Sequence, residues 1–180
     1  SHYCGVLWRE LPLAAAGAPL PSLQVPGIEG IRFTPLPLSS KAPPYSPHRE
    51  RPDIGDNIGL LIEDTANGKS VFYAPGLGEP EPHIEAAMRS CDCVLVDGTF
   101  WRADEMIALG FSAKSAADMG HLPQSGEAGM IAVLDRIGAR RKVLIHINNT
   151  NPILDDDSEQ RAILDRHEIE VAFDGMEIHL

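Results

Sequence analysis

Two short apolar runs constrain this chain most, because each one ends in a side chain with a lone pair to offer. Cys93-Val94-Leu95-Val96 leads into Asp97, and Val143-Leu144-Ile145 leads into His146. Short runs of aliphatic and β-branched residues without polar alternation are what strands covered on both faces look like. Strands of that kind sit in sheets with helices packed against them, so the chain reads as α/β.

The rest of the pattern fits around them. Residues 31–36 alternate as a strand, and Pro35 and Pro37 push it toward a sheet edge. Residues 57–64 and 69–74 read as two strands joined by Thr65-Ala66-Asn67-Gly68, a hairpin signal. Helices are expected over residues 82–90, 102–109, 126–137 with Ser125 as cap, and 158–166 with Ser158 as cap. Further strands are expected over 142–147 and 170–173, with a last short one at 178–180. Residues 11–30 and 39–56 are long proline-rich loops. The second carries Tyr45, His48, Arg49 and Arg51, and its length marks it as a lid or substrate loop. The chain opens near a strand-like Val6-Leu7-Trp8, as though something N-terminal were missing. The whole reads as one partial domain spanning residues 1–180.

Composition narrows the partners. Acidic residues outnumber basic ones 26 to 15 in 180 residues, a formal charge of −11. Without a basic run there is no electrostatic footprint for nucleic acid or anionic lipid. No apolar stretch approaches the roughly 18 residues of a membrane span. The cysteines, Cys4, Cys91 and Cys93, are odd in number, which argues for a reducing compartment, the cytoplasm, over a disulfide framework. Cys91 and Cys93 form a C-x-C, read here as small core residues.

In open α/β sheets, binding sites gather beyond the carboxyl ends of strands. Asp97 and His146 stand at two such ends, and a carboxylate with an imidazole suits Zn2+, Fe2+ or Mn2+. His121, between Gly120 and Pro123, lies on a loop that can lean over the same edge. A lone strand histidine is also a common hydrogen-bonded core residue. No H-x-H-x-D-H, H-E-x-x-H, paired C-x-x-C or G-x-S-x-G motif is present. His2, His83, His167 and His179 read as surface residues.

Taken in order, LSSKAPPYSP (38–47), GDNIGLLIED (55–64), FYAPGL (72–77), VLVDGTFW (94–101), MGHLP (119–123), KVLIHINNTNPILDDDS (142–158) and VAFDGM (171–176) resemble the pyrroloquinoline quinone biosynthesis protein B family. The resemblance implies a metallo-β-lactamase-like αββα sandwich whose N-terminal half is missing here. It implies Asp97 and His146 as ligands of a divalent metal, Fe2+ or Zn2+, and His121 as a catalytic histidine. It further implies Asn148, Asn149 and Thr150 at the pocket edge. Tyr45, His48 and Arg49 complete the expected substrate contacts. A structural zinc is expected only in the missing N-terminal part. No acid stands near Tyr73-Ala74-Pro75-Gly76, where that fold's bridging aspartate is expected, and serines at 39 and 40 replace an expected ligand histidine. Both departures favour a single metal.

The function implied is bacterial cofactor biosynthesis, by metal-dependent oxidation or hydroxylation of a tyrosine-derived precursor. The alternative is a non-catalytic carrier that binds or transports the quinone or its precursor, and the third reading is a metallo-hydrolase. The partner in each case is a small molecule, with a homodimer as one admissible assembly.

Overall fold

The computed structural model describes residues 10–12, 21–42, 45–49 and 51–180. The expectations for residues 6–8, for Cys4, for the central part of the 11–30 loop and for Pro43-Pro44 lie outside the described residues. Six strands form one sheet in sequence order: β1 (Ile31–Pro37), β2 (Ile58–Asp64), β3 (Ser70–Ala74), β4 (Cys93–Asp97), β5 (Arg141–Ile145) and β6 (Ile169–Val171). β1 to β3 run antiparallel, whereas β3 to β6 are parallel. Of the four layers that the resemblance implies, the described residues form this sheet and the helices packed on it.

The two prolines of β1 cost the sheet nothing. Phe33 exchanges backbone hydrogen bonds with Leu23 at 2.8 and 3.0 Å, on the side away from β2. Pro35 and Pro37 share the parity of Phe33, so their missing N–H groups also fall on that outer side. The β2–β3 hairpin closes as its composition requires. Asp64 Oδ1 accepts from Ala66 N, and Asn67 Oδ1 accepts from Lys69 N, each at 2.8 Å.

Crossovers carry the helices. α1 (Pro82–Ser90) joins β3 to β4, with Pro in its first turn. α2 (Glu105–Ala108), α3 (Ala116–Met119) and α4 (Met130–Ile137) lie between β4 and β5, and α5 (Glu159–Arg166) joins β5 to β6. Ile84 and Met88 of α1, Met130, Val133, Leu134 and Ile137 of α4, and Leu164 of α5 are buried. They pack in one cluster with Phe72, Ala74, Val94, Val96 and Leu144, which share one face of the sheet. Val71, Tyr73 and Leu95 point to the other face and keep partial exposure. Cys91 and Cys93 are free and buried.

Several boundaries differ from those read in the sequence. Ser125 does not cap a helix: its hydroxyl donates to Trp101 O at 2.7 Å, and α4 starts five residues later. The reason is Gly126, whose φ of +98° breaks the helical path, so that Gly129 becomes the cap. The expected 102–109 helix shrinks to the single turn α2. β5 stops at Ile145, short of Ile147, because His146 turns to φ +57°. Residues 172–180 contain no strand. Two short elements were not anticipated: α3, and a 3-10 turn at Pro152–Leu154. Among the described residues, no helix is long and apolar enough to cross a membrane.

Candidate metal centre

Backbone pairing sets the first distance in the site. β4 and β5 are parallel neighbours with Asp97 opposite Ile145, so the loops after both strands leave the sheet side by side. Gly98 makes that proximity possible. Its N–H donates to Ile145 O at 2.7 Å, and a Cβ at this position would lie 2.8 Å from Leu144 Cβ. Any larger residue would push the two loops apart.

Asp97 is fully buried, and its carboxylate accepts four hydrogen bonds. Oδ2 receives Leu77 N at 3.1 Å and His121 Nδ1 at 2.6 Å. Oδ1 receives Thr99 N at 2.9 Å and Thr99 Oγ1 at 2.6 Å. A buried carboxylate needs this degree of satisfaction. No acid stands near Tyr73-Gly76, and the loop after β3 gives the site a backbone donor, Leu77 N.

His121 reaches the site from the far end of α3. Ser115 and Asp118 form a reciprocal cap at the start of that turn, and Gly120 ends it. The Ser115 backbone N–H on Asp118 holds that carboxyl below the usual range. His121 N then bonds Ala116 O at 3.0 Å, and Phe100 packs edge-on against the imidazole with centroids 5.8 Å apart. The His146 ring stacks on it at 5.3 Å and 24°. One ligand atom each from Asp97, His121 and His146 lies within 4.8 Å of the others. Asp97 is buried, His121 half-buried and His146 exposed, a gradient from the sheet outward. A carboxylate with two imidazoles at that separation is a donor set that fits a divalent ion such as Zn2+ or Fe2+.

A cleft of about 260 Å³ opens at the two histidines, lined also by Ser40, Lys41, Arg49, Asn57 and Gly76. Its described lining holds two cationic side chains and no carboxylate, in a chain of net charge −11. Arg49 is steadied by donating from Nη1 to Ala42 O at 2.6 Å. Tyr45 and His48 lie on the same loop but point outward, Tyr45 being 88% exposed. Asn148 and Thr150 bond each other at 2.5 Å, and Thr150 Oγ1 donates to the buried Glu105 at 2.6 Å. They thus turn away from the cleft lining, and Asn149 is exposed beside them.

Sequence reasoning passed over Thr99, Lys41 and Asn151. Asn151 is buried and donates from Nδ2 to Gly98 O at 3.0 Å and to Thr99 O at 3.3 Å, tying the two loops together. Thr99, two residues past a strand-end aspartate, had a signal in its position. Lys41 had none.

A family model described as β-lactamase superfamily domain matches residues 2–147. The chain is 60% identical over its full length to coenzyme PQQ synthesis protein B of Cupriavidus necator, and 56% identical over 99% of its length to that of Methylococcus capsulatus. In each comparison it spans 57% of the relative's own length. These relatives are named for synthesis, and none for transport. Among solved structures, Zn2+-bound PqqB from Methylobacterium extorquens superposes with a TM-score of 0.80 at 32% identity, over 89% of this chain and 53% of that one. A diphosphatase of the PhnP family superposes at 0.53 with 12% identity, a likeness of fold alone. From its matched residues, its sheet and its strand-end donors, the chain belongs to the β-lactamase superfamily domain family.

Proposed function

We propose that this chain serves pyrroloquinoline quinone biosynthesis by holding a divalent metal and oxidising or hydroxylating a tyrosine-derived precursor. The observation that carries this reading is the convergence of Asp97, His121 and His146 at the mouth of a cationic cleft. The 60% identity to a coenzyme PQQ synthesis protein B supports the pathway, and the Zn2+ of the M. extorquens relative supports the metal.

In this reading His146 would hold the ion, which would supply Lewis acidity or, as Fe2+, redox chemistry with O2. Asp97, which the resemblance implies as a second ligand, has its four acceptor positions filled and would instead fix His121. We favour Fe2+ for turnover, since Zn2+ has no redox couple with which to pass electrons between a phenol ring and O2. His121 is fixed by its 2.6 Å bond to Asp97 and handles a proton at the cleft wall. Lys41 and Arg49 pair the carboxylates of the precursor, Arg49 in bidentate fashion. Tyr45 and His48 belong to the same substrate loop. Asn148 and Thr150 act behind His146, holding its loop against Glu105, and Asn149 stays exposed beside them. The buried free cysteines fit a cytoplasmic setting.

The test is metal affinity together with consumption of a cross-linked glutamate–tyrosine precursor under Fe2+ and O2. His146→Ala is expected to abolish both, and wild-type turnover in that variant would remove the proposal. The cationic lining also favours a second reading, a carrier. Tight binding of the quinone without metal, and with no turnover, would select it.

A further inference from the structure

We infer that Thr99 is a positioning residue, which sets the tautomer of His146 and so presents Nε2 of that ring to the metal. No role attaches to Thr99 in the reading above. Yet its hydroxyl stands 2.6 Å from Asp97 Oδ1, 2.8 Å from His146 Nδ1, 3.0 Å from His146 O and 3.1 Å from His121 Nδ1.

Counting protons decides the arrangement. A hydroxyl has one proton, and a carboxylate oxygen only accepts, so the shortest and charge-assisted bond takes it: Thr99 Oγ1–H donates to Asp97 Oδ1. The hydroxyl oxygen is then left as an acceptor at 2.8 Å from His146 Nδ1, and that nitrogen must carry the proton. His121 Nδ1 likewise donates to Asp97 Oδ2 at 2.6 Å. Both imidazoles thereby carry Nδ1–H, so the neutral form of each ring is the tautomer whose Nε2 holds the lone pair. Orienting a ligand imidazole through its second nitrogen is how outer partners tune a metal site.

The backbone of the turn that carries Thr99 also holds the loop of the residue that it orients. His146 adopts φ +57°, a conformation that costs a non-glycine residue free energy and persists only under constraint. Constraint comes from both sides: Asn148 N donates to Thr99 O at 3.1 Å, and Gly98 N donates to Ile145 O at 2.7 Å. Thr99 is itself buried on the strand-end turn, so its hydroxyl has little freedom to seek other partners.

The inference rests on the metal reading only for its consequence, and its test separates the two. Imidazole 15N spectroscopy of the metal-free protein reads the tautomer directly. Wild type and Thr99→Ser are expected to show His146 as Nδ1–H, and Thr99→Val to redistribute toward Nε2–H. A wild-type ring already in the Nε2–H form overturns the inference without any variant. So does a Ser variant that behaves like the Val variant, since the hydroxyl would then not be the cause. Zn2+ affinity by chelator competition follows: Val weakens binding about 10- to 100-fold and Ser restores it. Equal affinity in wild type and Val overturns the positioning role. Absence of Zn2+ binding in wild type instead removes the metal reading, and the tautomer result stands or falls by itself.

Discussion

The hairpin side of the sheet and its parallel side use similarly apolar strands to different ends. β2 buries one residue of seven, whereas β4 buries four of five. The parallel strands are clamped between neighbours and covered by α1 and α4, and it is these strands that deliver Asp97 and His146. The hairpin supplies the loop ends, at Asn57 and Gly76, that wall the cleft. Burial is what turns a strand end into a fixed point for chemistry.

The largest expected effect tests that contrast in the core. Leu144→Ala on β5, fully buried, should cost about 2–5 kcal/mol in denaturant unfolding. Ile62→Ala on β2, only half-buried, should cost about 1 kcal/mol. Equal losses would break the comparison. Next comes backbone strain. His146→Gly should be more stable than His146→Ala by about 1 kcal/mol, since both lose the ring and only glycine relaxes φ +57°. At Glu63 in β2 the same pair should fall in the opposite order, by about 0.5–1 kcal/mol, because glycine weakens an extended strand.

A smaller effect sits on the seam between the two regions. Asp92 receives Ser70 N from β3 at 3.0 Å, and also engages Lys69 and Arg140. The Ser70 backbone bond, first, and the Lys69 bond hold its carboxyl below the usual range. Its folded pKa therefore lies under the unfolded one. The stabilisation is complete above the ordinary carboxylate pKa and disappears as pH falls through the depressed value. Asp92→Asn should flatten the acid limb of a thermal-midpoint profile, and an unchanged limb would discard this seam as a contributor. Smallest is the response to thiol reagents. Burial pushes the Cys93 thiol up to about 11, so at pH 8 it should alkylate only upon unfolding. Rapid labelling in the native state would show β4 to be looser than its burial implies.

The strands of the parallel half were legible because uninterrupted apolar runs leave few alternatives, and the hairpin because Asn67-Gly68 marks its turn. Asp97 and His146 followed from the rule that strand ends host sites. Their convergence, however, required the Asp97–Ile145 register, which periodicity does not encode. The helix expected from 126 failed for a backbone reason, since Gly126 is compatible with helical spacing yet takes φ +98°. Lys41 was invisible because it enters the cleft by loop geometry alone. Thr99 was overlooked because a hydroxyl after Asp-Gly reads first as turn chemistry.

The side-by-side pairing of β4 with β5 gives the two donor residues a built-in ruler. Neighbouring strands stand about 4.8 Å apart whatever their sequence. Within the connection between them, the largely exposed stretch at residues 109–114 can be lengthened or rewritten while that gauge stays unaltered, because Gly98, Thr99 and His121 lie outside it. The spacing of the donors and the variable surface thus reside in separable stretches of the polypeptide, and changing the second need not disturb the first.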